Sequence, residues 1–116
     1  MSRSLKVHVG GNFATSAKRV AKAWRKAERG EDVSEDHLTF VSWDALAKVM
    51  TTKRFELLRH VHRNPAASVA ALARSLGRDY KRVHADVEAL ASTGLIERDR
   101  SGIHSDYDEI RTIIAL

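Results

Sequence analysis

The chain contains no cysteine, which excludes disulfides, thiolate nucleophiles and cysteine-ligated zinc. No apolar run approaches the roughly 20 residues that a membrane-spanning helix needs. Residues 1–20 also lack the apolar centre of a signal peptide, so a soluble cytoplasmic protein with no membrane partner is expected. There is no glycine-rich phosphate loop and no nucleophile elbow. His60 and His62 are two residues apart, so on a helix they point to different faces, unlike the i,i+4 pair of a zinc helix. The acids at 31, 32, 35 and 36 lack the glycine and spacing of a calcium loop. Asp106, Asp108 and Glu109 have no base or nucleophile close to them in sequence. These gaps argue against an enzyme, and neither a metal nor a cofactor is expected. With 116 residues the chain has room for one domain and an accessory arm, and little for a separate catalytic domain.

What the chain does have is positive charge, unevenly spread. The net charge is +5 with a pI near 9.9, a balance that favours polyanionic partners. Residues 1–30 carry a net +7, residues 31–51 a net −4 and residues 52–116 a net +2. Within the last segment the cations concentrate between Arg74 and Arg82.

Periodicity divides the chain into short elements. Leu5, Val7 and Val9 alternate with Lys6 and His8, the pattern of a half-buried strand, before Gly10-Gly11 breaks it. Asn12 is placed to cap a helix running to about Arg29, with Ala17, Val20, Ala21, Trp24 and Ala27 on one stripe and basic residues elsewhere. That stripe is small-residued with one tryptophan, which suits dimerisation or partner binding through Val20, Trp24 and Ala27. Packing on the chain's own core and attachment to a membrane surface are weaker readings of it. Residues 31–37 read as an acidic, solvated linker. Leu38 to Val41 suggests a strand, and a short helix follows from Asp44 to Met50. Phe40 and Trp43 serve either the same partner surface or the core. Thr51 or Thr52 caps a helix carrying Phe55, Leu58 and Val61, which stops before the only proline, Pro65.

The most informative stretch is SVAALARSLGRDYKRVHADVEALASTGLIER, residues 68–98. Ser68 caps a helix whose Leu72, Ala73 and Leu76 share a face, and Gly77 stands where a helix ends in a left-handed residue. Asp79 caps the next helix, in which Val83, Val87 and Leu90 mark the buried side. Gly94 ends it, and Leu95 to Asp99 and Ile103 to Ser105 suggest two strands around Arg100-Ser101-Gly102. Ile110 to Leu116 is β-rich. The whole reads as an α+β fold, a winged helix-turn-helix with an N-terminal strand-helix extension. The division is 1–37 for the extension and linker, and 38–116 for the winged domain.

On a helical wheel the side opposite Val83, Val87 and Leu90 carries Arg78, Lys81, Arg82, Ala85 and Glu88. Residues in the first turn of such a helix reach base edges, where arginine pairs with guanine and lysine offers one donor. Ala85 leaves room for close approach, and His84 flanks the face. Tyr80 lies nearer the buried side, so its ring is expected to pack. Ser68 and Arg74 are candidates for phosphate contacts that set register. Arg98 and Arg100 flank the hairpin turn and either track the backbone or, with Asp99 beside them, form a plain solvated hairpin. The competing reading is that these cations merely solubilise a helix.

The runs LTFVSWDALAKVMTTKRFELLRHV, LGRDYKRVHADVEALASTGLIERD and SDYDEIRTIIAL resemble the MarR-like winged-helix predicted transcriptional regulators, and most nearly a subfamily often encoded beside toxin-like partners. The resemblance covers residues 38–116, and GRDYK-x-V-H-x-D-V-x-A-L is its most specific part. It implies a homodimeric binder of double-stranded DNA that represses its own operon, with DNA contact through Tyr80, Lys81, Arg82 and His84. Some such proteins act as antitoxins. Three functions follow as expectations: a sequence-specific DNA-binding autorepressor, an antitoxin that covers a toxin protein through its N-terminal helix, and an RNA or general nucleic-acid binder.

Overall fold

The computed structural model describes residues 3–10 and 36–116. They form a mixed α+β fold, with four helices and two small sheets among the described residues. The expected N-terminal helix, with Val20, Trp24 and Ala27, lies outside them. By their contacts the described residues fall into two units: 3–10, 36–46 and 108–116 in one, and Ala47–Tyr107 in the other.

The first unit is a three-stranded parallel sheet. Its strands are β1 (Ser4–Val9), β2 (Asp36–Phe40) and β5 (Glu109–Ile114), in the order β2-β1-β5. Leu5, Val7 and Val9 are buried, as their alternation predicts, and Phe40 is buried with them in β2. The register sets Leu5 opposite Asp36 on one side and Ile110 on the other. This corrects the sequence reading in two places. Asp36 and His37 are strand residues rather than linker. The reason is long-range pairing: the β1 backbone provides a ladder, and the Arg3 guanidinium meets the Asp36 carboxylate at 3.1 Å. His37 stacks on His8 across the strands, with Nε2 and Nδ1 2.9 Å apart. The carboxyl-terminal strand returns to the same sheet. There the Asp108 N–H donates to the Arg3 carbonyl at 2.8 Å and Ser4 Oγ to Glu109 at 2.6 Å.

Helix α1 (Trp43–Val49) contains the division between the units and buries none of its residues. Trp43 is 57% exposed, so of the two aromatics offered to partner surface or core, only Phe40 is in the core.

The second unit packs three helices and a hairpin. Helix α2 (Thr52–Arg63) is capped by Thr51 and buries Leu57, Leu58 and Val61. Phe55, expected on its apolar side, is exposed at the helix surface, where the Arg59 guanidinium lies 5.9 Å from its ring centre. Helix α3 (Val69–Leu76) is capped by Ser68, whose hydroxyl accepts from the Ala71 N–H at 3.1 Å. It buries Val69, Leu72 and Ala73 and ends at Gly77 in the left-handed region, φ +64. That conformation lets the Arg78 N–H reach back to the Ala73 carbonyl at 3.0 Å, and glycine adopts it without steric cost. Asp79 caps helix α4 (Tyr80–Ser92), in which Val83, Val87 and Leu90 are fully buried.

Strands β3 (Glu97–Asp99) and β4 (Gly102–His104) form an antiparallel hairpin. Leu95 and Ile96, expected to begin β3, are instead buried ahead of it. The Leu95 N–H bonds the Leu90 carbonyl at 3.1 Å, which keeps that pair on the helix terminus and out of the ladder. On its other side β4 is joined by the segment before α3. Ala66 and Ile103 exchange both backbone bonds, at 2.9 and 2.7 Å.

Candidate nucleic-acid interface

A short connection, Gly77 to Asp79, turns the chain from α3 into α4 and presents the first turn of α4 to solvent. Two cations stand there, Lys81 and Arg82, both exposed. Their side chains make no hydrogen bond or ion pair among the described residues, and the same holds for Arg74 on α3 and Arg100 at the hairpin turn. Cations held at a surface without counter-charge keep their full field for an external anion. Ala85, one turn further along α4, is exposed as expected.

Arg78 departs from expectation. It precedes α4 and so does not follow that helix's wheel. Its guanidinium turns inward to the Asp86 carboxylate at 2.7 Å, and its side chain is only 20% exposed. Asp86 simultaneously accepts from Arg54 Nε at 3.0 Å. Arg54 Nη1 donates to the Lys48 and Val49 carbonyls at the end of α1, at 3.0 and 3.1 Å. The triad ties α2, α4 and the turn before α4 together, so Arg78 is a cation committed within the fold. Sequence reasoning passed over Asp86 and Arg54, although a signal was present. Asp86 lies three residues after Val83 and four before Leu90, on the buried face, and an acid on an apolar stripe requires a partner.

Tyr80 also departs. Its ring does not pack inward. It is 51% exposed and lies against the His84 ring, centre to centre 6.0 Å. As the first residue of α4 it precedes the buried stripe by three positions, and no facing element among the described residues covers it. His84 is half-exposed, with Nε2 3.8 Å from Glu88. Glu88 is the ion-pair partner of Arg98, so of the two hairpin arginines one is already paired, and Arg100 is the one without a partner among the described residues.

Ser68, Val69, Tyr80, Arg98, Asp99 and Gly102 line a cleft of about 320 Å³ among the start of α3, the start of α4 and the hairpin. Ser68 thus does two things: its oxygen caps α3, and it forms part of a concave wall. No spacing in the sequence announced this cleft, because its walls come from three separate elements.

The hairpin also gathers acids around one imidazole. His104 Nε2 lies 2.8 Å from Asp99 and 3.9 Å from Glu97, and Nδ1 lies 3.0 Å from Asp106. Hydrogen bonds from Ser101, and then from His104, hold the Asp99 carboxyl down at about 2. The bonds to Asp99 and Asp106 raise His104 above the ordinary histidine value. Donor atoms of Glu97, Asp99 and His104 all fall within 4.8 Å of one another. Both ring nitrogens already face carboxylate oxygens, so the cation this grouping calls for is the proton on the imidazole. Among the described residues no helix is long and apolar enough to cross a membrane.

Residues 49–112 match the sequence profile of the HVO_A0114 family, more than half of the chain. The chain belongs to the HVO_A0114 family. The span shared with the HVO_A0114 profile includes α2, α3, α4 and the hairpin, and with them every candidate DNA-contact residue from Ser68 to Arg100. Val20, Trp24 and Ala27 precede it. No curated protein matches the chain.

Proposed function

We propose that the chain is a sequence-specific regulator that binds double-stranded DNA as a winged helix-turn-helix of MarR-like type. In this reading α3 and α4 are the helix-turn-helix, α4 enters the major groove by its first turn, and the β3–β4 hairpin is the wing. The observation that carries it is a pair of exposed cations, Lys81 and Arg82, without partners among the described residues, on the first turn of a helix whose opposite side is fully buried. That turn is where a recognition helix reads bases. Arg74 and Arg100, also without partners among the described residues, supply phosphate contacts. Tyr80 and His84 present an aromatic pair beside the cations. A homodimer with one α4 per half-site, repressing its own operon, belongs to the same proposal and rests on the resemblance of residues 38–116.

The test is selection of duplexes from a random pool, followed by titration of the selected and a scrambled duplex at rising salt. Selection is expected to enrich a sequence. Lys81→Ala and Arg82→Ala should each weaken binding to it by about 1–3 kcal/mol while leaving folding unchanged. An unselective pool, or full affinity in the double variant, overturns the reading. Equal affinity for the scrambled duplex, with the salt slope intact, marks a general nucleic-acid binder instead.

A further inference from the structure

The wing carries a charge that works against DNA. Between residues 97 and 106, Glu97, Asp99 and Asp106 outnumber Arg98 and Arg100, a net −1 when His104 is neutral and zero when it carries a proton. The geometry around His104 decides which form fits. A neutral imidazole has one N–H, so it can donate to Asp99 or to Asp106 and must set a lone pair against the other. With Asp99 Oδ2 at 2.8 Å and Asp106 Oδ1 at 3.0 Å, one of those contacts would then oppose two lone pairs. The imidazolium donates to both.

Asp99 is not free to turn away. Its other oxygen accepts from the Ser101 N–H at 2.8 Å and from the Ser101 hydroxyl, which closes the hairpin turn. Glu97 adds a third carboxylate at 3.9 Å, directly across the ladder from His104. The helix packed against β4 is α2, and the titratable group it turns this way is His62. Its Nδ1 is engaged by the Ser105 carbonyl at 2.7 Å. Among the described residues the ion pair that Asp99 makes is with His104.

We propose that His104 is a proton-operated clamp on the wing. When charged it holds Asp99 in the hairpin and Asp106 in the strap after β4 at once, and it cancels the wing's net negative charge, so the protein binds DNA more tightly with the clamp closed. Asp99 and Arg98 both line the cleft beside Ser68, so the proton also sets the field that a backbone phosphate meets there. The clamp rests on the DNA-binding reading for its consequence but not for its geometry. The sign follows from the raised pKa of His104. The clamp is closed below that value and opens as pH rises through it.

The experiment follows the His104 ring signals by NMR over pH in the full chain, with EDTA present to keep metal ions out, and measures affinity for the selected duplex on both sides of the midpoint. The midpoint is expected above the ordinary histidine value near 6.5. Across it, wild-type affinity should fall roughly two- to fivefold beyond any fall seen in His104→Gln, the size of one partly exposed charge interaction. Asp106→Asn, which keeps the shape of the strap, should lower the midpoint and serves where the glutamine variant folds poorly. A midpoint at or below the ordinary value, or the same pH dependence in wild type and His104→Gln, overturns the clamp. Failure to bind any duplex at any pH overturns the DNA-binding reading and the affinity half of this proposal, and the NMR midpoint alone then judges the clamp.

Discussion

Replacing Asp86 by alanine removes the one carboxylate shared by two guanidinium groups. Arg54 and Arg78 are 22% and 20% exposed and Asp86 14%, so the site lies between the surface and interior limits. An exposed pair contributes about 0–1 kcal/mol, whereas breaking a buried one costs about 3–5 kcal/mol because a charge is stranded. The burden falls unequally. Arg54 keeps the Lys48 and Val49 carbonyls, while among the described residues Asp86 is the only side-chain partner of Arg78. A loss of about 2–3 kcal/mol is therefore expected. Urea denaturation followed by circular dichroism measures it. The double variant Asp86→Ala/Arg78→Met should recover part of the loss, since it no longer leaves the guanidinium without its acid. Repeating the series at about 1 M salt separates a partly buried pair from a screened surface one. A loss below about 0.5 kcal/mol, or one that disappears in salt, would refute the view that Arg78 is committed inside the fold.

Three further outcomes follow. Gly102→Ala should cost about 2–5 kcal/mol by the same assay, because the new Cβ would stand 2.2 Å from the Ala66 carbonyl oxygen at φ +115; the two Ala66–Ile103 bonds leave that carbonyl little room to retreat. Ser68→Ala should lower thermal stability by about 1 kcal/mol through the lost cap, and Ser68→Asp should restore it. Arg74→Ala and Arg100→Ala should each change stability by less than about 0.5 kcal/mol. Each should also reduce the salt slope of duplex binding by about one while leaving sequence preference unchanged; an altered preference would make that residue a base reader instead.

Where the chain could be read directly, the determinants lie within a turn or two of one another. Ser68, Gly77 and Asp79 set the limits of α3 and α4 by bonds to backbone groups three to five residues away. Val83, Val87 and Leu90 name the buried side of α4 because helical spacing alone brings them together. Lys81, Arg82 and Ala85 are then exposed as a consequence of the same wheel.

Other outcomes depended on residues distant along the chain. Arg78 has the composition of a contact residue, and Asp86 with Arg54 makes it a strut. Tyr80 is exposed because no other element among the described residues covers the start of α4. Asp36 and His37 look like linker until β1 supplies a ladder, and β5 joins the same sheet from more than a hundred residues away. The three carboxylates around His104 meet it only once the hairpin has its register. Helix limits and faces come from dihedral preference and hydrogen bonds inside one segment, so local sequence determines them. Strand partners, shared counter-ions and the walls of the cleft need two or more segments brought into register. Only the tertiary structure decided those.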